Sequence, residues 1–126
     1  MKKRENENLT GLELQIMQVI WTQGPSGVSA VREGLEQELA YTTVQTMLNI
    51  LTRKGKLRRK LRGQAYEYSA IVTEAKASNH AVSDLVERMF RGSSEALVMS
   101  LIKNRQINAD EIARLSRKLD EEGDKR

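Results

Sequence analysis

Polar side chains that can hydrogen-bond to nucleic-acid bases recur along one face of a predicted helix, from about Tyr41 to Lys54. This face carries hydroxyl and amide groups and ends in a cation: Thr42, Gln45, Thr46, Asn49 and Arg53. Apolar residues such as Val44, Leu48 and Leu51 recur on the other side, which predicts that this side packs on a core. Uncharged donors and acceptors on an exposed helix suit contact with base edges in a DNA groove.

A run of cations follows this helix directly. Gly55 fits the position just after a helix end, and beyond it the apolar repeat changes to two, as in a β-strand. Gly63-Gln64 then falls at a predicted hairpin turn. From Arg53 to Arg62 the chain has seven cations and no acid. A solvated surface helix beside an ordinary basic ribbon is the alternative interpretation, but the two features together favour nucleic acid.

These patterns assign separate roles to the side chains of the helix and the hairpin. We expect base edges or nearby phosphates to be contacted by Thr42, Thr43, Gln45, Thr46 and Asn49. We expect phosphates to be held by Arg53, Arg58, Lys60 and Arg62. Gly63 would let the tip of the hairpin approach the nucleic-acid backbone closely.

Composition narrows the class of protein. The chain has 126 residues, a net charge of +4 and no cysteine, which excludes disulfides, thiolate metal sites and cysteine catalysis. Residues 1–70 carry 11 cations and 7 acids, whereas residues 71–126 carry 10 of each. The positive excess therefore lies in the half that holds the helix and hairpin, as expected if that half meets a polyanion. No apolar run is long enough to span a bilayer, and the polar N-terminus is unlike a secretory signal, so we expect a cytoplasmic protein.

Catalysis is not expected. The one histidine, His80, lies in a predicted helix without a second titratable group in an evident constellation. The sequence contains no glycine-rich phosphate loop, metal-ligand spacing or nucleophile motif. We therefore predict no catalytic residue, no metal site and no cofactor.

Two further helices are predicted before the helix that runs from about Tyr41 to Lys54. Thr10 and Glu13 form the pattern of a capping box at the start of a helix that reaches about Thr22, with Trp21 in the core. Ser26 is expected to cap the second helix. The apolar stripe of that helix is predicted to comprise Val28, Val31, Leu35 and Leu39. Three short helices followed by a basic hairpin predict a mainly α chain with a winged helix-turn-helix.

Residues 1–70 are predicted to form the DNA-binding domain, with a polar arm at residues 1–8. Residues 71–126 are predicted to form three more helices. So short a set of helices, without cysteine or metal, can barely bury its own apolar stripes. A second copy of the chain would cover them, although packing on residues 1–70 of the same chain is the alternative. The predicted dimerisation residues are Val82, Leu85, Val86, Met89, Phe90, Leu97, Val98, Leu101, Ile102, Ile112, Leu115 and Leu119.

Several stretches carry a family resemblance. The most specific is Ala40-Tyr41-Thr42-Thr43-Val44-Gln45-Thr46, and Gly63-Gln64-Ala65-Tyr66-Glu67-Tyr68 follows it as a wing. Phe90-Arg91-Gly92-Ser93 leads into the last helices. From about Leu9 to Leu119 the chain resembles the bacterial penicillinase and methicillin-resistance repressors of the BlaI/MecI type, a family that also includes copper-responsive CopY repressors. The resemblance implies a homodimeric winged-helix repressor on a palindromic operator, with the C-terminal helices exchanged across the dimer axis.

The same resemblance suggests how such a repressor is released. In the β-lactam-responsive branch a protease linked to a membrane sensor cuts the dimer helix, and the matching step here is Ser100-Leu101. The best-known members have an Asn-Phe step at this place. The copper-responsive branch binds metal through a C-terminal cysteine cluster, which this chain lacks. The inducing signal, antibiotic or other, therefore stays open.

Two other functions are compatible with a winged helix. One is a module that binds protein or structured RNA, and the other is an architectural DNA-binding protein without sequence preference. A palindromic duplex bound with a steep salt dependence and a large preference over random DNA would separate a repressor from both.

Overall fold

A computed structural model describes residues 9–124, so the predicted arm at residues 1–8 lies outside the described residues. The helices and strands, in chain order, are α1 (Gly11–Gln23), α2 (Val28–Gly34), α3 (Tyr41–Arg53), β1 (Leu57–Arg62), β2 (Ala65–Ala70), α4 (Glu74–Phe90), α5 (Ser94–Lys103) and α6 (Ala109–Asp124). The mainly α, winged helix-turn-helix prediction is confirmed. The residues group into two units, the first ending at Ala81 and the second beginning at Val82.

The core of the first unit joins α1, α2, α3 and the base of the hairpin. Its buried apolar residues are Ile16, Met17, Ile20, Val28, Val31, Val44, Leu48, Leu51, Leu57 and Tyr68. Trp21 is half-buried and packs against this core, and its Nε1 donates a hydrogen bond to the carbonyl oxygen of Val72 at 2.9 Å. The indole therefore ties the end of α1 to the segment that leaves the hairpin.

The start of α1 forms as its residue types predict. The Thr10 hydroxyl accepts a hydrogen bond from the Glu13 amide at 3.2 Å, and the Thr10 amide donates to Glu13 Oε1 at 3.0 Å. This reciprocal pair is the predicted capping box, and it satisfies two backbone donors that the helix leaves without partners.

The prediction for the second helix is wrong in two details. Gly27, not Ser26, is the residue that precedes α2, and no side chain caps that end. The Ser26 hydroxyl donates instead to the carbonyl oxygen of Gly24 at 2.7 Å, while the Ser26 backbone exchanges hydrogen bonds of 2.8 and 2.9 Å with Tyr68. Ser26 therefore forms an isolated antiparallel β-bridge with Tyr68 of β2, because pairing with a distant strand satisfies its backbone groups.

The second helix is also shorter than predicted. It ends at Gly34, so the last two residues of the expected stripe, Leu35 and Leu39, pack on the core from the loop before α3. Arg32 Nε donates to the Leu39 carbonyl oxygen at 2.7 Å, which holds this loop against the helix. Apolar spacing alone does not distinguish a helix from a loop whose side chains reach the same core.

The close approach of α1 and α2 at Gly34 gives the first prediction. A Cβ at this position would lie 2.7 Å from Val19 Cγ1 and 2.7 Å from Gln23 Nε2. Because the β-branched Val19 side chain has little freedom to move, Gly34→Ala is expected to lower the free energy of unfolding by about 1–2 kcal/mol. Urea unfolding measures the change.

Gly11→Ala is the matched control, because a Cβ there has no neighbour within 4 Å. It is expected to be neutral or to stabilise by up to about 1 kcal/mol, since alanine favours the helix and narrows the unfolded ensemble. A Gly34→Ala protein as stable as the Gly11→Ala protein would contradict the proposed steric conflict.

The junction between α3 and β1 is three residues long and closely hydrogen-bonded. Gly55 has φ of +80°, its amide donates to the Thr52 carbonyl oxygen at 3.1 Å, and the Lys56 amide donates to the Leu51 carbonyl oxygen at 3.0 Å. These bonds form a Schellman motif, so Gly55 occupies the predicted position after the helix. β1 and β2 then pair antiparallel about the Gly63-Gln64 turn.

Each helix of the C-terminal half begins with a side-chain cap. The hydroxyl of Thr73 accepts from the Lys76 amide at 3.1 Å before α4, and that of Ser93 accepts from the Ala96 amide at 3.0 Å before α5. Asn108 and Glu111 form the predicted second capping box, with bonds of 2.8 and 2.9 Å. Across residues 9–124, no helix is long and apolar enough to cross a membrane.

Candidate nucleic-acid interface

The outer face of α3 is polar and open to solvent. Thr42, Thr43, Gln45, Thr46 and Arg53 are exposed, and Asn49 is half-buried. The opposite face of the same helix carries Val44, Leu48 and Leu51, which are fully buried. The core thus fixes the rotation of α3 about its axis, and that rotation presents the polar side chains together.

The register of the hairpin divides its side chains into two faces. Arg58, Lys60 and Arg62 lie opposite Ser69, Glu67 and Ala65, respectively. Leu57, Arg59 and Leu61 lie opposite Ala70, Tyr68 and Tyr66, respectively. Because successive side chains of a strand point to opposite faces, three of the predicted phosphate-binding cations share the first of these faces.

The first face also carries Glu67, an acid that forms an ion pair with one of the cations. Arg62 Nε lies 3.2 Å from Glu67 Oε1, and both side chains are partly open to water. An ion pair so exposed contributes little stability, but it reduces the charge that Arg62 offers to a phosphate. Arg58 lies opposite Ser69 and is exposed, so it is the stronger candidate of the two.

Asn49 connects α3 to the second face of the hairpin. Its Oδ1 accepts hydrogen bonds from Arg59 Nη1 at 3.0 Å and from the hydroxyl of Tyr68 at 3.1 Å. Tyr68 is buried, so this bond also satisfies a polar group inside the core. A carbonyl oxygen has two lone pairs, and both are used here. In this arrangement only the amide nitrogen of Asn49 is available to a base.

Sequence reasoning missed Arg59, which lies beside this polar face. Its guanidinium carbon is 4.1 Å from the ring centroid of Tyr66, and its Nη1 reaches Asn49. The alternation along β1 groups Arg59 with the apolar Leu57 and Leu61, so the expected site does not include it. The sequence does contain a signal that identifies Arg59. Pairing the strands outward from the predicted turn at Gly63-Gln64 places Arg59 opposite Tyr68.

One of the seven cations between Arg53 and Arg62 points into the fold rather than outward. Lys54 Nζ lies 2.8 Å from Glu13 Oε1 and 2.9 Å from Oε2. The two side chains are 16% and 3% exposed, respectively. Burial acts to raise the pKa of the Glu13 carboxyl, but hydrogen bonds from Lys54 and Thr10 and the charge of Lys54 outweigh it, so this pKa is lowered.

Two of the three cations on the first hairpin face, Arg58 and Arg62, give the second prediction. Arg58→Ala is expected to weaken binding to every DNA sequence alike and to reduce the slope of log affinity against log salt by about one per half-site, because one phosphate contact is lost. Binding titrations over a range of salt concentrations on specific and random duplexes would measure both effects. Arg62→Ala is the control, and its smaller expected change follows from the Glu67 partner. Equal slopes for Arg58→Ala and the unaltered chain would exclude the phosphate contact.

Comparison with known proteins gives the chain a family. A sequence model of the penicillinase repressor family matches residues 9–121. The penicillinase repressor of Bacillus licheniformis is 26% identical over 115 residues, covering 90% of this chain and 90% of that protein. The methicillin resistance regulatory protein MecI of Staphylococcus aureus (strain N315) is 20% identical over 109 residues, covering 85% and 89%, respectively.

A solved structure is also similar to part of the chain. It is the monomeric form of B. licheniformis BlaI in complex with the blaP half-operator, with a TM-score of 0.48 and 28% identity over 55% of this chain and 87% of that chain. The relatives named here are repressors or regulatory proteins, not enzymes. Since the family model matches almost all of the described residues, this chain belongs to the penicillinase repressor family of winged-helix transcriptional regulators.

Proposed function

We propose that this chain is a homodimeric transcriptional repressor that binds an inverted-repeat DNA operator, with α3 in the major groove and the β1–β2 hairpin along the phosphates. The observation that supports this proposal best is that the polar face of α3 and the basic hairpin are neighbours in the first unit. An uncharged polar helix face, exposed except at the half-buried Asn49, lies beside a hairpin that bears exposed cations. Helix side chains of this kind suit base edges, and the cations suit the backbone.

The apolar surface of the second unit supports a dimer. Only Val86 among the hydrophobic residues 82–124 is buried, and Met89 and Leu119 are 70% and 68% exposed. Several other apolar side chains of these helices are exposed in the single chain: Val82, Leu85, Val98, Met99 and Leu115. Because so much exposed apolar surface is unusual on a monomer, a second copy of the chain is the proposed cover.

Among the twelve residues proposed for dimerisation, the half-buried ones are Phe90, Leu97, Leu101, Ile102 and Ile112. A two-fold dimer would present two α3 helices to two half-sites, which is why an inverted repeat is the proposed operator.

Proteolysis of the second unit is the proposed route of release from DNA, with a protease controlled by a membrane sensor as the proposed partner. The candidate step, Ser100-Leu101, lies inside α5, and both residues are half-buried. Proteases cut extended chain, so cleavage there requires local opening of the helix. Cleavage at this step would separate α6 from α4 and so weaken a dimer that these helices form.

Selection from a randomised duplex library tests the central proposal, because the protein itself then reveals the operator sequence. The full chain should enrich an inverted repeat whose half-sites are one helical turn, about 10 base pairs, or a multiple apart. Sedimentation should show two protomers on each duplex. Affinity should exceed that for random duplex of equal length by about 10³-fold or more, with a steep dependence on salt.

The same experiment distinguishes the alternatives. Enrichment of no sequence, with the steep salt dependence retained, would support an architectural protein instead. Binding to structured RNA or to a protein in preference to all duplexes would overturn the assignment to DNA. A strictly monomeric chain, free and on DNA, would overturn the dimer.

A further inference from the structure

We infer that Arg59 determines the sequence specificity of this protein by hydrogen-bonding a guanine in the major groove, with Asn49 and Tyr66 as the residues that position it. The inference deepens the proposed function and rests on it. It assigns to the hairpin a role in base recognition, in addition to the phosphate contacts expected of the cations on its other face.

Arg59 lies against the polar face of α3. Its Nη1 lies 3.0 Å from Oδ1 of Asn49, a residue on the polar face of α3. The guanidinium therefore lies against the helix rather than at the tip of the hairpin. If α3 enters the major groove, Arg59 enters with it. Arg58 and Lys60 lie on the other face of β1, which directs them away from Asn49.

Arg59 is held in place by two contacts within the protein, before any DNA is bound. The guanidinium carbon lies 4.1 Å from the centroid of the Tyr66 ring, while Asn49 accepts one of its N–H groups. Asn49 Oδ1 is itself held by the hydroxyl of Tyr68, which is buried. An arginine fixed at two points loses little further rotamer freedom on binding.

The guanidinium of Arg59 has further N–H donors besides the one that Asn49 accepts. Arginine has five N–H donors, and Asn49 takes one. No carboxylate of the described residues pairs with Arg59, in contrast to Arg62 with Glu67 and Lys54 with Glu13. A planar fork with spare donors matches the O6 and N7 acceptors of guanine, the two acceptors that guanine presents in the major groove. A lysine keeps the charge but not the fork.

Arg59→Lys in the full chain tests the inference, with Arg58→Lys on the opposite face of the same strand as the control. The probes are the duplex that the unaltered chain selects and a random duplex of equal length. Arg59→Lys should lower affinity for the selected duplex by about 10- to 100-fold per half-site, because a bidentate contact is lost. Affinity for random duplex and the salt slope should not change, because the charge is kept. Any effect of Arg58→Lys should be equal on the two duplexes, because a phosphate contact is made on both.

A second measurement leaves the protein unaltered. Each guanine of the selected half-site is replaced in turn by 7-deazaguanine, which lacks the N7 acceptor. At one guanine the replacement should weaken binding of the unaltered chain but not of Arg59→Lys. The positioning role of Asn49 predicts that Asn49→Ala together with Arg59→Lys costs no more specific affinity than the larger of the two single changes.

The outcomes separate the inference from the proposed function. A chain that prefers no duplex overturns the proposed function and the inference with it. A chain that prefers its selected repeat, while Arg59→Lys keeps the same preference for that repeat over random duplex, overturns the inference alone. So does a selected site at which no 7-deazaguanine discriminates the two proteins. Thermal unfolding of each variant shows whether it is folded, and a 7-deazaguanine series in which no replacement weakens binding of the unaltered chain overturns the inference whether or not Arg59→Lys folds.

Discussion

Replacing Glu13 by alanine is expected to lower the free energy of unfolding by about 2–4 kcal/mol, the largest effect on stability that we predict. The Glu13 carboxylate is 3% exposed and contacts Lys54 Nζ with both oxygens, at 2.8 and 2.9 Å. It also accepts from the Thr10 amide at 3.0 Å. Its removal leaves an ammonium group and a backbone donor to find new partners in a partly buried place, which is why the cost exceeds that of an ordinary cap.

The pH dependence of stability follows from the same contacts. The folded-state pKa of Glu13 is lowered, so the unfolded chain binds a proton more readily than the folded one does. The contribution of Glu13 is therefore complete above the usual glutamate pKa of about 4.3 and is lost as pH falls through the lower folded-state value. Urea unfolding at neutral pH and in mild acid below that usual pKa, followed by the fluorescence of the single tryptophan, Trp21, would measure it.

The chain contains a matched control for this prediction. Asn108 and Glu111 form the same kind of capping box at α6, and Glu111 is more exposed than Glu13. Glu111→Ala should lower the free energy of unfolding by about 1 kcal/mol. It should change the unfolding that Trp21 fluorescence follows less than Glu13→Ala does. Equal losses of stability in Glu13→Ala and Glu111→Ala would show that the ion pair contributes nothing beyond the cap. The same conclusion would follow if the stability of Glu13→Ala fell as steeply in acid as that of the unaltered chain.

Replacing Asn49 by alanine is expected to have the largest effect on DNA binding, a loss of about 1–3 kcal/mol per half-site in specific affinity. Two half-sites on one duplex would double it. The change removes the acceptor that holds Arg59 against α3, together with any contact that the amide nitrogen makes to a base. Specificity at one operator position should relax, while binding to random duplex should change little, because no cation is removed.

A stability loss should accompany this effect on binding. The hydroxyl of Tyr68 donates to Asn49, and Tyr68 is 1% exposed, so Asn49→Ala leaves a buried hydroxyl without that acceptor. The expected cost is about 1–3 kcal/mol in the free energy of unfolding. Gln45→Ala on the same exposed helix face should leave stability unchanged, which makes it the control. Undiminished specific binding by Asn49→Ala would mean that the wrong face of α3 has been assigned to DNA.

The local parts of the fold could be predicted because their signals lie within a few residues of one another. The Thr10/Glu13 capping box spans four positions, and the change of repeat at Gly55 marks the junction of helix and hairpin. The polar face of α3 follows from its apolar face, since burying Val44 and Leu48 exposes Thr42 and its neighbours. Local propensity and the final fold agree at these places.

The rest depends on residues that are far apart in the chain. Ser26 suits a helix cap or a strand end equally well, and its pairing with Tyr68 decides between them. Lys54 resembles its neighbouring cations in sequence, yet its partner Glu13 lies 41 residues away. The role of Arg59 depends on the strand register, which brings Asn49, Tyr66 and Tyr68 around it. A pattern of residue types contains none of these distances.

The shortness of the segment at residues 54–56 limits where the chain can tolerate insertions and deletions. The Schellman bonds at Gly55 fix the phase between the turns of α3 and the pleat of β1. One inserted residue there would invert the pleat, directing Arg58 and Lys60 toward Asn49 and Arg59 away from it. The Gly63-Gln64 turn lies beyond the last strand pair, and a Cβ at Gly63 has no neighbour within 4 Å. Length variation is therefore tolerable at the tip of the wing and disruptive at its root, so related proteins should differ in length at the first place and not at the second.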